Sequence, residues 1–154
     1  MATLLFGSIF SYLLISRLLL GLVEVTGESM SPSLRSGDFY LLHKYPYLWS
    51  DPAPGEIVAL CDPLDDELSV KRVIALPGDR IGISNGVVEV NGALLEEPYL
   101  REAGTTYTVN GQPYHSILEV DQYFLMGDNR RNSVDARSYG PVSRRRIRGV
   151  IRRP

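Results

Sequence analysis

Three short segments combine polar or charged residues with turn-forming Gly, Pro and Asn. They are GESMSPSLRSGD at 27–38, KRVIALPGD at 71–79 and GDNRRNSVDARSYGP at 127–141. Taken singly, each has an ordinary structural explanation: Ser29 could cap a turn, Lys71 could lie on the surface, and Gly-Asp-Asn could form a tight turn. Any chemistry must therefore come from their combination.

Lys71 stands at the head of the apolar run VIAL, a setting that draws its side chain toward a core. Burial disfavours the ammonium form and lowers the pKa. A shift from about 10.4 to about 7 corresponds to about 4.6 kcal/mol. The neutral amine could then take a proton from a serine hydroxyl, which is serine–lysine chemistry and needs no histidine. His43 and His115 indeed stand in unremarkable contexts.

Length and composition favour one folded catalytic unit: 154 residues with 44% hydrophobic and 22% charged residues. The net charge of -2 is uneven, because six of the 16 basic residues are arginines in the last eleven positions, where there is no Asp or Glu. This tail could be a solvated edge or could contact anionic lipid, and we expect no nucleic-acid partner. Cys61 is the only cysteine. With no adjacent cation in sequence, it is expected to be a packed or partly exposed thiol without a catalytic role.

Residues 3–23 form an apolar run that predicts a retained transmembrane helix, with a first domain at residues 1–23. These 21 residues would give about 31 Å of helix, enough to cross a bilayer. Arg17 would cost about 3 kcal/mol at mid-bilayer but could snorkel to the nearer interface. An interfacial or buried helix and a cleaved secretory signal are the alternatives, although no basic region precedes the run.

The remaining residues, 24–154, predict one mostly β domain built as an antiparallel sheet assembly. Its expected strands are FYLLHKY, EIVALC, SVKRVIAL, RIGIS, VVEV, TYTV, YFLM and IRGVI. Asn91-Gly92 after Val87–Val90 predicts a hairpin turn. Residues of about 92–118, with frequent Gly and Pro, are expected to form a β-rich excursion from the main sheet.

The three segments resemble the conserved boxes of type I signal peptidases, in the same order after an N-terminal anchor, and the similarity covers nearly all of residues 1–151. The family pattern G-x-S-M-x-P-[ST]-L-x-x-G-D is met by Gly27, Ser29, Met30, Pro32, Ser33, Leu34, Gly37 and Asp38. VNGALLEEPYL at 90–100 resembles the bacterial branch, whereas YGPV followed by IRG is similar to mitochondrial inner-membrane peptidases.

The resemblance implies that Ser29 attacks the scissile carbonyl, that Lys71 is its general base, and that Ser133 orients the Lys71 amine. It places the Ser29 backbone N–H in the oxyanion hole. Gly27 occupies the position where some members add a hydroxyl donor. Ala136 stands where the family usually has Ser. The residues expected to give structural support are Asp128, Asn129, Asp135 and Arg137.

The implied substrates are exported preproteins, cut after small residues of the Ala-x-Ala type. We expect the substrate to pair as an extra strand with an edge strand at Leu68, Ser69 and Val70 and with the segment before Ser29. Met30 is expected either to contact substrate and the membrane surface or to fill the core. The resemblance implies no metal or cofactor, and it places the domain on the extracytoplasmic face of the cytoplasmic membrane, with the mitochondrial inner membrane as the alternative.

Two other functions remain as alternatives. A self-cleaving regulatory protease uses a similar serine–lysine sheet, but it would carry a partner or DNA-binding domain and a cleavable linker upstream, where this chain has an apolar run. An inactive, membrane-tethered module could present signal peptides to another enzyme. The retention of Ser29, Lys71 and Ser133 together argues against such a module.

Overall fold

Runs of aliphatic and β-branched residues form the strands of two antiparallel sheets in the computed structural model, which describes residues 19–152. The strands are β1 (Leu20–Glu24), β2 (Phe39–His43), β3 (Ile57–Cys61), β4 (Leu68–Ala75), β5 (Arg80–Ser84), β6 (Val87–Val90), β7 (Ala93–Leu94), β8 (Tyr114–Ile117), β9 (Gln122–Met126), β10 (Val142–Ser143) and β11 (Ile147–Arg152). Helix α1 (Ala136–Tyr139) and 3-10 turns at Tyr45–Leu48, Arg130–Asn132 and Arg144–Arg146 connect them.

The larger sheet has seven strands in the order β1-β2-β11-β3-β4-β9-β10, and the smaller has four in the order β7-β6-β5-β8. Strand β4 lies inside the larger sheet, and its chain continues directly into β5 of the smaller one. The smaller sheet, Arg80 to Ile117, includes most of the predicted excursion and begins about a dozen residues earlier. We call it the second lobe.

Three apolar clusters hold the sheets together. One cluster joins the two sheets, because Ile81, Ile83 and Val88 of the second lobe pack with Phe124 and Met126 of β9. Each of these side chains is at most 1% exposed. Full burial of one such side chain contributes about 1.5 to 3 kcal/mol, so the second lobe is packed firmly against the end of β9.

The Asn91-Gly92 hairpin prediction is confirmed. Val90 pairs with Ala93, and both turn residues have positive φ, 55° and 80°, as a type I′ turn requires. The predicted TYTV strand is wrong: of these residues only Thr106 makes a bridge, with Gly86. The Thr108 hydroxyl donates to the Gln112 carbonyl at 2.6 Å, a local side-chain bond that competes with strand pairing.

The predicted anchor at residues 3–23 falls mainly on residues 1–18, which lie outside the described residues. Its last part differs from the prediction, because Leu20 to Val23 belong to β1 and pair with β2. The larger sheet therefore begins at Leu20 and not after the predicted boundary at residue 23. Within residues 19–152 there is no helix whose length and apolar character would let it span a bilayer.

Part of the arginine-rich tail is built into the fold. Arg144 donates to the carbonyl of Tyr47 at 3.0 Å and to the Asp51 carboxylate at 3.1 Å, while Arg146 donates to Asp66 at 2.8 Å. These two arginines are thus not merely solvated, whereas Arg145 is exposed. Cys61 is partly exposed, as expected, but Arg148, distant in sequence, donates to its sulfur at 3.0 Å.

Candidate active site

Ser29 lies half-buried in the loop between β1 and β2. The loop turns at Gly27, whose φ of +89° lies in the left-handed region that favours glycine. Met30 and Leu34, 1% and 3% exposed, pack with Val23 and Leu42 and anchor the loop to the core. Met30 therefore fills the core, the second of the two roles expected for it, and its side chain offers almost no surface to a bilayer.

Lys71 projects from β4 and is 5% exposed. Its Nζ lies 3.4 Å from Ser29 Oγ, slightly longer than the usual range of about 2.6 to 3.2 Å, as catalytic hydrogen bonds often are without substrate. Burial lowers the pKa of Lys71 from its ordinary value, opposed in part by the negative charges of Asp135 and Asp62. The Lys71 amine beside the Ser29 hydroxyl is therefore neutral more readily than the amine of a lysine side chain in water.

The loop after β9 is joined to the Ser29 loop through the backbone. The Asn129 N–H donates to the Ser29 carbonyl at 2.9 Å. Gly127 permits this approach, because a Cβ at that position would lie 2.6 Å from the Ser29 carbonyl oxygen and 2.2 Å from Ser133 Oγ. Prediction from sequence assigned no role to Gly127, although its place in the Gly-Asp-Asn box was a usable signal.

Ser133 lies in the same cluster, packed against Gly127. Its hydroxyl is buried and has no hydrogen-bond partner among the described residues. It lies near the Asp135 carboxylate and helps to lower the pKa of that group, without reaching hydrogen-bonding geometry. Its orientation of the Lys71 amine stays a prediction.

Asp135 and Arg137 form a buried ion pair under this cluster, with Arg137 Nη2 2.8 Å from Asp135 Oδ2. Asp135 also accepts the Gly127 N–H at 3.0 Å and caps α1 through the Arg137 N–H. Burial alone would raise the pKa of Asp135, but Arg137 and the Gly127 N–H outweigh it and lower the pKa below its ordinary value. Ala136 is fully buried in the cluster that joins the sheets.

Arg72 is a supporting residue that sequence reasoning missed. Its guanidinium donates two hydrogen bonds to the Asp128 carboxylate, from Nε to Oδ1 at 2.8 Å and from Nη2 to Oδ2 at 2.6 Å. It also donates to Ser33 Oγ at 3.2 Å and lies 4.0 Å from the Tyr99 ring centroid. Because strand residues alternate faces, Arg72 faces away from Lys71 and ties the serine loop, the second lobe and the Gly-Asp-Asn box together. The alternation of side chains along β4, with Arg72 directly after Lys71, was the signal in the sequence that could have identified this residue.

The predicted edge strand at Leu68 to Val70 is the first part of β4, which lies inside the larger sheet. These residues pair with β3, whereas pairing with β9 begins only at Arg72. The other backbone edge of Leu68 to Lys71 therefore has no strand partner among the described residues. Leu68 is 48% exposed and Val70 9% exposed. The segment before Ser29 is exposed at Gly27, and the Ser29 N–H donates to no other group in residues 19–152.

No group of three His, Cys, Asp or Glu side chains within residues 19–152 is arranged to hold a metal ion. The expected independence from metals and cofactors stays a prediction.

Comparisons with known proteins agree with this architecture. The family described as "Signal peptidase, peptidase S26" matches residues 1–154. A probable signal peptidase I-2 of Synechocystis is 36% identical over 133 residues, 81% of this chain and 58% of that protein. A signal peptidase I of Bacillus amyloliquefaciens is 37% identical over 134 residues, 82% of this chain and 70% of that protein.

The crystal structure of a signal peptidase I from Enterococcus faecalis superposes with a TM-score of 0.56 and 29% identity. The match covers 66% of this chain and 97% of that one. This chain thus spans 58% of the Synechocystis relative's length and most of the described fold of the Enterococcus protein. The resemblance seen in the three boxes is confirmed, and the chain belongs to the signal peptidase family S26.

Proposed function

We propose that this chain is a membrane-bound serine endopeptidase that removes N-terminal signal peptides from exported preproteins after small residues. The observation that carries the proposal is the buried Lys71 amine, 3.4 Å from the Ser29 hydroxyl. A lysine in water would be an ammonium ion, unable to accept a proton. Burial moves Lys71 toward the neutral form that a general base needs.

In this mechanism the Ser29 oxygen attacks the scissile carbonyl while Lys71 takes the hydroxyl proton. Lys71 then gives that proton to the amine leaving group, which departs with the mature chain, and the signal peptide stays as an ester on Ser29. Lys71 next takes a proton from water, whose oxygen attacks the ester carbonyl. The ester bond then breaks, Lys71 returns that proton to the Ser29 oxygen, and the signal peptide leaves with a free carboxyl group. The Ser29 N–H, which has no other acceptor among the described residues, would stabilise the oxyanion.

The unpaired backbone edge of Leu68 to Lys71 supports recognition by strand addition. An extended signal peptide could pair with this edge on one side and with the segment before Ser29 on the other. Such pairing reads backbone and not side chains, so selection for small residues would have to come from shallow pockets beside the added strand. Leu68 and Val70 alternate with Ser69 along this edge and would contribute to those pockets.

The test is cleavage of a preprotein whose signal peptide ends in Ala-x-Ala by the full-length chain in detergent. We expect the wild type to cut after the second Ala. Ser29→Ala and Lys71→Met should each lower kcat by about 10³-fold or more, because nucleophile and base act as one unit.

Matched controls come from the same chain. Ser116→Ala changes a half-buried serine of β8, and Lys44→Met changes the other lysine of the sequence. Both should cleave like the wild type, and circular dichroism should show all four variants folded. Failure of the wild type to cut, or normal cleavage by Ser29→Ala or Lys71→Met, would refute the proposal.

A further inference from the structure

A cavity of about 200 Å³ lies between the Ser29 loop, the loop after β9 and the second lobe. Its walls come from three separate segments: Ser31 of the serine loop, Arg101, Glu102 and Thr105 of the second lobe, and Asp128 to Asn132 of the Gly-Asp-Asn box. The mechanism above uses none of its basic side chains. We call it the arginine cavity.

The arginine cavity is close to the reacting atoms. Ser31 is two residues from Ser29, so their Cα atoms are at most about 7 Å apart. The opposite wall contains Asn129, whose N–H is bonded to the Ser29 carbonyl. A substrate chain passing Ser29 therefore reaches this cavity within one or two residues of the scissile bond.

The charged side chains that line the arginine cavity differ in whether they form an ion pair. Arg130 is buried and paired with Glu97, and Asp128 is buried and gripped by Arg72. Arg131 and Glu102 form an exposed pair at 3.4 Å. Arg101 differs: it is exposed, its Nη2 lies 3.4 Å from Ser31 Oγ, and it forms no ion pair with any residue between 19 and 152.

The unpaired guanidinium of Arg101 favours binding of an anionic group. A guanidinium presents a planar fork of N–H donors that matches a carboxylate and repels cationic groups. The 3.4 Å contact with Ser31 Oγ places the Arg101 guanidinium at the cavity, next to the Ser29 loop. A substrate side chain with a carboxylate would find there the one positive charge of the lining that no acidic residue of the described part neutralises.

The direction of the substrate decides which part of it reaches Arg101. In the proposed strand addition, the signal peptide occupies the groove along Leu68 to Val70. The residues after the scissile bond must leave past Ser29 on another path, and the arginine cavity opens beside Ser31 in the same loop. We propose that the arginine cavity binds an acidic side chain among the first three residues of the mature protein, with Arg101 as the recognising group. The inference rests on the proposed function.

The experiment uses three pairs of peptides that share one Ala-x-Ala signal sequence. The two peptides of a pair differ only in Glu or Gln, which stands at the first, second or third mature position. Cleavage by the full-length chain is measured as kcat/KM in nonionic detergent, so that no lipid phosphate competes. At one of the positions the wild type should prefer Glu by about two- to fivefold, the range of an exposed ion pair. The preference should shrink in 0.5 M salt.

Arg101→Gln should bring the Glu-to-Gln ratio to about 1, and Arg101→Glu should invert it and favour a Lys peptide. Arg145→Gln makes the same charge change at an exposed site on the C-terminal side of the chain and should keep the wild-type ratio. A wild type that cuts the Gln peptides without any Glu preference, or a preference that survives Arg101→Gln, would overturn the inference while leaving the proposed function intact. Failure to cut any peptide would overturn both.

Discussion

The Lys71 amine lies in a site that destabilises its own charge. Its side chain is 5% exposed, and burial lowers its pKa although Asp135 and Asp62 draw the other way. The same desolvation that suits a general base must weaken the fold whenever the amine is protonated. At the residue scale, activity and stability should therefore oppose each other at Lys71.

We expect Lys71→Met, a change of similar volume, to raise the free energy of unfolding at pH 7 by about 1 to 3 kcal/mol. The gain should be largest below the lowered pKa of the folded protein, where both states carry the charge. It should shrink as pH rises toward 10.5, the ordinary lysine pKa, because the folded state has then lost the proton that the unfolded state still holds.

Urea unfolding between pH 6 and 10 measures this difference, and Lys44→Met should show no comparable pH-dependent gain. A Lys71→Met variant that is less stable than the wild type at pH 7, or a gain that does not vary with pH, would contradict the assignment of a burial cost to Lys71.

At the scale of elements, the site depends on the loop after β9 lying against the loop between β1 and β2. Gly127 sets their closeness, since any side chain would strike both Ser133 and the Ser29 carbonyl. The Asp135 carboxylate accepts the Gly127 N–H and so fixes the same loop. Asp135 is itself held by its buried ion pair with Arg137. Ser29 is thus positioned by a neighbouring loop and not by its own segment alone.

Gly127→Ala should accordingly separate the two loops. We expect a loss of stability of about 1 to 3 kcal/mol from overpacking, together with a large fall in kcat because the Ser29–Lys71 distance changes. Gly21→Ala is the matched control, since its added methyl would meet no atom closer than 3.5 Å. Thermal unfolding and preprotein cleavage report the two effects, and wild-type values for both in Gly127→Ala would show that the loops tolerate the methyl.

At the scale of the whole molecule, the chain enters the main sheet at Leu20, inside the last part of its apolar N-terminal run. If residues 1–18 anchor the chain, strand β1 follows the bilayer with almost no linker. Leu20 and Leu22 of β1 are 38% and 66% exposed. This continuity would hold the main sheet close to the membrane surface.

The proposed topology predicts that the full-length chain stays in the membrane fraction after alkaline carbonate washing. In bacterial spheroplasts, added protease should digest the domain without lysis, because the family resemblance implies that it lies on the extracytoplasmic face. A cytoplasmic protein of the same cells, intact until lysis, is the control. Release by carbonate would refute the anchor, and protection of the domain in unlysed spheroplasts would refute the orientation.

Local patterns determined much of this protein. The density of matching residues in the three boxes identified the family, and the Asn91-Gly92 turn was predictable because its backbone conformation suits few other residue pairs. Alternation and aliphatic runs located most of the long strands. The β1 strand was missed because its apolar residues continue a run that also satisfies the requirements of a membrane helix.

Tertiary structure alone decided the contacts between distant segments. Ser29 and Lys71 are 42 residues apart, Arg72 and Asp128 56, and Arg101 and Ser31 70. Which side chains meet at such separations depends on strand order, register and the packing of one sheet on the other, none of which a local pattern contains. The boxes thus predicted Ser29 and Lys71 as nucleophile and base, and the apolar run after Lys71 predicted its burial. The close fit at Gly127 and the lack of an acidic partner for Arg101 among the described residues emerged only from the folded chain.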